Sequence, residues 1–260
     1  VPLSKLLTVA LASGLMGGRL LDVTLGDPRS NVALEEALFR RLQGPVLRVW
    51  DNQRCVVIGR AQLAGLETDL GACMARGVPV VRRFTAGGAV YHGPGNINWS
   101  FLEPRSGRDG EGRVFDAKGV FMSFAGRVVA ALAGCGVDCI FEPPNRLVTA
   151  EGKISGMAAY QSSSGVICHG TLLADADLEE VEELTRPSAQ GAEARYPRSR
   201  HATVANCGVD RARFVEALAG GGGGPYAKGE LTGGEASELR RLVAERYGRD
   251  DWNLGDPFAR

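Results

Sequence analysis

A mixed β-sheet flanked by helices, an α/β fold of the α+β kind, is what this sequence predicts. Three observations carry the prediction. Short apolar runs at 46–50, 55–59 and 78–83 have the length and composition of buried strands. Residues 96–101 alternate Ile97, Trp99 and Phe101 with Asn96, Asn98 and Ser100, the period of a strand with two unlike faces. Segments with helical spacing, clearest at 31–42 and 114–132, are set between such runs, so helices should cover the sheet.

The elements follow in order. Residues 20–24 read as a first strand. Asp27-Pro28-Arg29-Ser30 supplies a turn and a helix cap, and Leu34, Ala37, Leu38 and Leu42 then fall on one stripe. In 96–101 the apolar set should pack on the core, while the amides and hydroxyl face a cavity. Val120, Phe124, Val128 and Leu132 mark the next helix, closed by Gly134 and Gly136. Two strands are expected to flank Lys153, with a third at 166–173. Beyond it, 187–200 is a polar, arginine-containing loop and the glycine run at 219–225 a joint. Thr232-Gly233-Gly234-Glu235 forms a capping box for a last helix carrying Leu239, Val243 and Tyr247.

The 260 residues suit one large domain, and thirty basic against thirty acidic residues give no bulk charge for nucleic acid or membrane binding. The expectation is therefore no nucleic-acid and no membrane partner. Six cysteines include no C-x-x-C pair, so reduced thiols in a cytoplasmic protein are expected and no metal ligands are assigned. The apolar stretch 6–16 is too short to span a bilayer and is read as part of an N-terminal extension over 1–18.

Four segments carry polar chemistry. Arg82-Arg83 leads into Gly87-Gly88-Ala89-Val90-Tyr91-His92, where bare backbone N–H groups and guanidinium groups suit an anionic ligand bearing phosphate. Taken alone, the same segment also fits a tight turn with surface arginines. Lys153, in Gly152-Lys153-Ile154-Ser155-Gly156, could stabilise developing negative charge, or be a solvated turn lysine. His169-Gly170-Thr171 interrupts an apolar strand, which suggests a cavity wall, since an interior penalises unpaired polar groups. Cys168 and His169 are adjacent on that strand and point to opposite faces, so they make no catalytic dyad. Finally, Val57-Ile58-Gly59-Arg60-Ala61-Gln62 is a strand ending in glycine, arginine and glutamine.

Together these motifs, in this order, resemble the lipoate–protein ligase A family of the biotin/lipoate ligase superfamily. Arg82-Arg83 with Gly87 to His92 is similar to its R-R-x-x-G-G-G-A-V-x-H signature, and Gly152 to Gly156 to its lysine motif. His169-Gly170-Thr171-Leu172-Leu173 matches its H-G-T-L-L, and Val57 to Gln62 its strand-end motif. The resemblance spans 19–254 and implies a class II synthetase-like catalytic domain with no C-terminal accessory domain.

It also implies the reaction. Lipoate and ATP would give lipoyl-adenylate, and the lipoyl group would pass to a lysine of a lipoyl domain, on a 2-oxoacid dehydrogenase E2 or a glycine cleavage H protein. Magnesium is implied with ATP, and a separate accessory subunit is a further implied partner. By match, Lys153 is the catalytic residue; Arg83, Gly88, Ala89, Val90, Tyr91, Lys153 and His169 hold the nucleotide. Arg60, His92, Asn98, Gly170 and Thr171 are implied in substrate binding, with Val57, Val90 and Trp99 lining a tunnel for the acyl chain.

Three features depart from the family pattern. Ala86 replaces the first glycine of the triplet, a mild change if its φ is negative. Asn145-Arg146 stands where the ligases have Asn-Asp, exchanging a carboxylate for a cation. The chain also stops after the catalytic domain. The rival within the superfamily is an octanoyltransferase that takes its acyl group from acyl carrier protein through a cysteine thioester, with Cys139 as nucleophile. A non-catalytic subunit binding the acyl-adenylate or the lipoyl domain is the other alternative.

Overall fold

Alternation along two neighbouring strands organises the molecule. In β2 (Val46–Trp50), Leu47 and Val49 belong to one core cluster, while Val46 and Trp50 belong to another. In β6 (Asn96–Pro104), Ile97, Trp99 and Phe101 enter the first cluster, which leaves Asn96, Asn98 and Ser100 for the other face. The computed structural model describes residues 17–105, 116–186, 195–221 and 225–259. Its main sheet has eight strands in the order β11-β1-β2-β6-β10-β9-β8-β7. The strands are β1 (Gly18–Asp22), β7 (Ile140–Glu142), β8 (Arg146–Val148), β9 (Lys153–Gln161), β10 (Gly165–Leu173) and β11 (Tyr226–Lys228), besides β2 and β6. β1 pairs in parallel with β2 and β11, and the remaining pairs are antiparallel, so the sheet is mixed as predicted.

A second sheet of three strands, in the order β4-β3-β5, comprises β3 (Cys55–Ile58), β4 (Val80–Arg82) and β5 (Val90–His92). It packs with α1 (Pro28–Arg40) over the polar-facing side of the main sheet, where Leu34, Leu38, Val57, Val81 and Phe84 share a cluster with Trp50 and Leu102. The short helices α2 (Ala64–Glu67) and α3 (Leu70–Ala75) lead from β3 to β4. On the opposite side α4 (Ala117–Gly134) buries Phe124, Val128 and Leu132, and the Phe124 ring stacks on Phe101 at 5.6 Å between centroids. By length and composition α4 is apolar enough to cross a membrane, but that buried face is committed to the sheet. After β10 come α5 (Leu178–Leu184), α6 (Arg211–Gly220), α7 (Gly233–Leu242), a π-helical turn at Val243–Tyr247 and α8 (Asp250–Leu254).

Most boundaries differ from the sequence reading for local reasons. α1 starts at Pro28 rather than 31, because Asp27 caps it by accepting the Ser30 N–H and proline is preorganised for a first turn. β1 begins at Gly18, inside the predicted extension, since a side chain there would meet the Tyr226 ring of β11. Lys153 opens β9, with only four residues between it and the end of β8 at Val148, so it lies at a strand start and not in a free turn. Cys135 caps α4 and Cys139 lies past the Gly136 turn, so their four-residue spacing, which on a helix would put both on one face, does not do so. The capping box at Thr232 forms in full. The predicted extension up to 16, the start of the helix at 114, the loop at 187–194 and the glycines at 222–224 lie outside the described residues.

Candidate active site

Between the polar face of the main sheet and the glycine segment is a cavity of about 320 Å³. Val57, Arg83 and Gly88 to Val90 form one wall, β9 and the β7–β8 hairpin another, and residues 198–200 the rim. Its floor comes from Glu35 of α1 and from His92, Asn98, His169, Gly170 and Thr171. Of the β6 polar set only Asn98 lines the cavity, together with His169, Gly170 and Thr171 of β10; Asn96 is bonded to the Tyr91 carbonyl and Thr171, and Ser100 to Glu35 behind the floor.

The glycine wall is held from behind. Arg82 is buried, and its guanidinium donates to the carbonyls of Gly59, Arg60, Gln62, Trp252, Asn253 and Gly255. Arg83 donates to the carbonyls of Val57, Ala86 and Gly88 and to Thr85 Oγ1, which curls the loop around its own side chain. Burial pushes Arg83 down to about 10, and the Glu35 charge opposes that shift. Gly87 sits at φ +102°, which only glycine adopts without strain, while Ala86 has no positive φ, so the missing first glycine is harmless. A Cβ on Gly59 would lie 2.2 Å from the Gly87 carbonyl oxygen, which explains the glycine ending β3. Gln62 of the same motif accepts the Gly59 N–H and donates to Glu67 and to the Ser199 hydroxyl. Ser199 in turn accepts the Ala89 N–H at 2.7 Å.

The floor is a chain of hydrogen bonds. Arg83 Nε donates to Thr85 Oγ1 (3.0 Å), which lies 2.8 Å from His169 Nε2, and His169 Nδ1 lies 2.7 Å from Glu35 Oε2. Ionised Glu35 can only accept, so the His169 Nδ1 carries the proton of that bond. Burial works against the Glu35 charge, but His169, Arg48 and the Ser100 hydroxyl outweigh it and hold the carboxyl down at about 2. Burial also pushes His92 down to about 3, and neighbouring Arg83 and His169 reinforce this against Glu35; its Nδ1 faces Asn52 Nδ2 at 3.3 Å. Both polar atoms of the Asn98 amide and the indole N–H of Trp50 are buried without a partner among the described residues. Buried polar groups of that kind at a cavity wall are ones a ligand satisfies.

Across the cavity the cations are less committed. The Lys153 ammonium makes no hydrogen bond or ion pair to the described residues, and burial followed by the nearby Arg146 charge lowers its pKa. Arg146 pairs with Glu142, while its buried Nε has no partner among the described residues. Glu35 is the one carboxylate among the described lining residues, and it is already bonded to His169 and Ser100. No group of three or more potential metal ligands occurs among the described residues. The described residues therefore offer no protein-held magnesium site.

Of the residues predicted to make the site, Arg83, Gly88, Ala89, Val90, His92, Asn98, Lys153, His169, Gly170 and Thr171 line the cavity. Three others do not. Arg60 is exposed, its backbone bonded to Thr85 and Arg82, because the chain turns outward after Gly59. Tyr91 alternates away from Val90 and donates its hydroxyl to Glu180, behind the small sheet. Trp99 belongs to the opposite core face, where its ring fills the space a Cβ on Gly170 would need. Arg83 and His169 face the cavity and also hold its frame, Arg83 the glycine loop and His169 Thr85 and Glu35. Cys139 is packed in the core beneath α4, outside the cavity lining, and burial pushes its thiol up to about 11. Sequence reasoning missed Glu35, Trp50, Met157 and Ser199. Glu35 had a signal, a carboxylate next to the apolar stripe of its helix.

An α+β domain whose mixed sheet and glycine loop enclose a cation-lined cavity defines the class. Residues 27–209 match the family described as the lipoyl protein ligase A/B catalytic domain, and the chain belongs to that family. Lipoate-protein ligase A subunit 1 of Thermoplasma acidophilum is 29% identical over 266 residues, covering 92% of this chain and 97% of that protein. The solved structure of a T. acidophilum lipoate protein ligase with bound lipoic acid superposes with a TM-score of 0.77 at 27% identity, over 92% of this chain and all of that one. A lipoate-protein ligase A bound with ATP gives a TM-score of 0.79 at 27% identity, over 92% and 99%. The fold is that of lipoate-ligase catalytic domains, as the motifs implied.

Proposed function

We propose that this chain, over 19–254, is the catalytic domain of a lipoate–protein ligase. A lipoate carboxylate oxygen attacks the α-phosphorus of ATP, forming lipoyl-AMP and releasing pyrophosphate. The ε-amine of an acceptor lysine then attacks the acyl carbonyl, AMP leaves with the bonding electrons, and the amine proton is lost to solvent. The observation that carries the reading is Lys153, an unpaired cation placed across the cavity from the N–H groups of the glycine wall. A fixed charge there stabilises the negative charge that gathers on phosphate and carbonyl oxygens in both steps. Val32, Val57, Val90 and Met157 give the same cavity an apolar stretch suited to an aliphatic chain. Magnesium enters with the nucleotide, held by triphosphate oxygens and not by a carboxylate among the described residues.

The acceptor is the lipoyl domain of a 2-oxoacid dehydrogenase E2 or a glycine cleavage H protein, and the setting is the cytoplasm, where the free cysteines stay reduced. One relative is named as subunit 1 of its enzyme, so a second subunit completes the proposal. The test incubates the protein with an apo lipoyl domain and either lipoate plus ATP or octanoyl–acyl carrier protein, with and without a candidate second subunit. A lipoyl mass increment on the acceptor that depends on ATP supports the reading. An increment obtained only from octanoyl–acyl carrier protein, or from neither donor, overturns it.

A further inference from the structure

The β7–β8 hairpin places a second cation beside Lys153. Pro143, Pro144, Asn145 and Arg146 all line the cavity. Asn145 ties this segment to β9 twice: its side-chain amide donates to the Met157 carbonyl at 2.7 Å, and its carbonyl accepts the Met157 N–H at 2.9 Å. In the strand register Arg146 faces Gly156, and a Cβ on Gly156 would stand 3.1 Å from Lys153 Nζ. The ammonium of Lys153 therefore lies over the residue paired with Arg146. Two like charges held this close repel each other, and an anion between them removes the repulsion. Arg146 also has donor capacity to spare. Glu142 engages its Nη2 and is not part of the cavity lining, while Nε is buried without a partner among the described residues. A guanidinium gripped on one edge presents its remaining N–H groups in a fixed direction.

The charge balance of the cavity points the same way. Lys153, Arg146, Arg198 and Arg200 line it, with Arg198 already bonded to Glu67, and Glu35 is the sole carboxylate among the described lining residues. We infer that Arg146 binds the nucleotide phosphates together with Lys153, supplying as a fixed cation the charge that a carboxylate-held metal ion would otherwise bring. This rests on the ligase reading and adds a residue to it, at a motif position where this sequence has a basic side chain in place of an acidic one.

Titration calorimetry of the full chain with ATP, in EDTA and then in excess magnesium, tests the inference, with adenosine as a ligand lacking phosphate. The wild type should bind ATP in EDTA. Arg146→Gln should weaken that binding by about tenfold or more, the loss of one charge-assisted hydrogen bond, and leave adenosine affinity unchanged. Arg146→Lys should keep part of the affinity. Arg146→Asp should bind ATP weakly in EDTA and recover with magnesium by a larger factor than the wild type. Equal ATP affinity of the wild type and Arg146→Gln in EDTA overturns the inference, as does an equal loss for adenosine, which marks a structural role. Lipoylation of the acceptor domain by the wild type, run in parallel, reports on the ligase reading independently. A wild type that modifies the acceptor but binds ATP only with magnesium sinks the inference and leaves that reading standing.

Discussion

Two walls of one cavity use positive charge in opposite ways. On the glycine wall the guanidinium groups of Arg82 and Arg83 are buried and turned onto backbone carbonyls, so their charge is used in holding the loop. On the facing wall Lys153 has no partner among the described residues and Arg146 has one free edge. Adjacent arginines in a signature motif look like the chemistry, and a lone lysine between glycines looks like solvent-facing punctuation. In the structure the arginine pair is turned onto backbone carbonyls, and Lys153 lines the cavity. A cation already saturated by carbonyls cannot follow charge as it develops on a substrate, whereas an unsaturated one can.

Substitution separates the walls. Lys153→Ala should lower the rate of acyl-adenylate formation by about 10²- to 10³-fold while shifting unfolding free energy by less than about 1 kcal/mol. Single-turnover kinetics and urea denaturation read the two quantities. Arg82→Met should do the reverse, leaving several buried carbonyls unpaired at a cost of about 3 kcal/mol, with activity per folded molecule preserved. A stable but inactive Arg82→Met protein would place this arginine with the chemistry and erase the distinction between the walls.

The contrast also accounts for what the sequence made legible. Alternation in 96–101 and at His169-Gly170-Thr171 located the floor, because a polar side chain on a buried strand needs a reason to be there. The glycines at 87 and 88 were legible as bare backbone, but the packing of Gly59 against the Gly87 carbonyl was not. Where side chains end was not legible. Arg60, Tyr91 and Trp99 belong to the right segments, but a single step along a strand or past its end turned each of them away from the cavity. Glu35 and Ser199 reach the site from α1 and from the 198–200 rim, far from the glycine loop in sequence, and no local pattern pairs them with it.

Acidification probes the floor between the two walls. His92 is held neutral down to about pH 3, whereas the unfolded chain protonates it near 6.5. Between those values the unfolded state binds more protons, so stability falls as the pH drops below about 6.5. From pH 7 to 5 the loss from this group should be about 2 kcal/mol, and it should be absent in His92→Gln. Urea midpoints at the two pH values decide it. Glu35 adds its own loss only below about pH 4.5, since its depressed value makes it a stabilising charge above that point.

The smallest expected effect is at Cys139, and it tests whether the cavity contains all of the chemistry. The thiol is buried beneath α4 with Phe124 and Leu147, and burial raises it to about 11, so about one molecule in 10⁴ carries the thiolate at neutral pH. Neither its position nor its protonation suits a nucleophile. Cys139→Ala should cost about 1 kcal/mol of stability, from the small void left by the sulfur, and leave lipoyl transfer unchanged. If transfer instead stopped in a variant that remained folded, the acyl group would have to pass through the core beneath α4. The division of labour between the two cavity walls would then describe only half of the reaction.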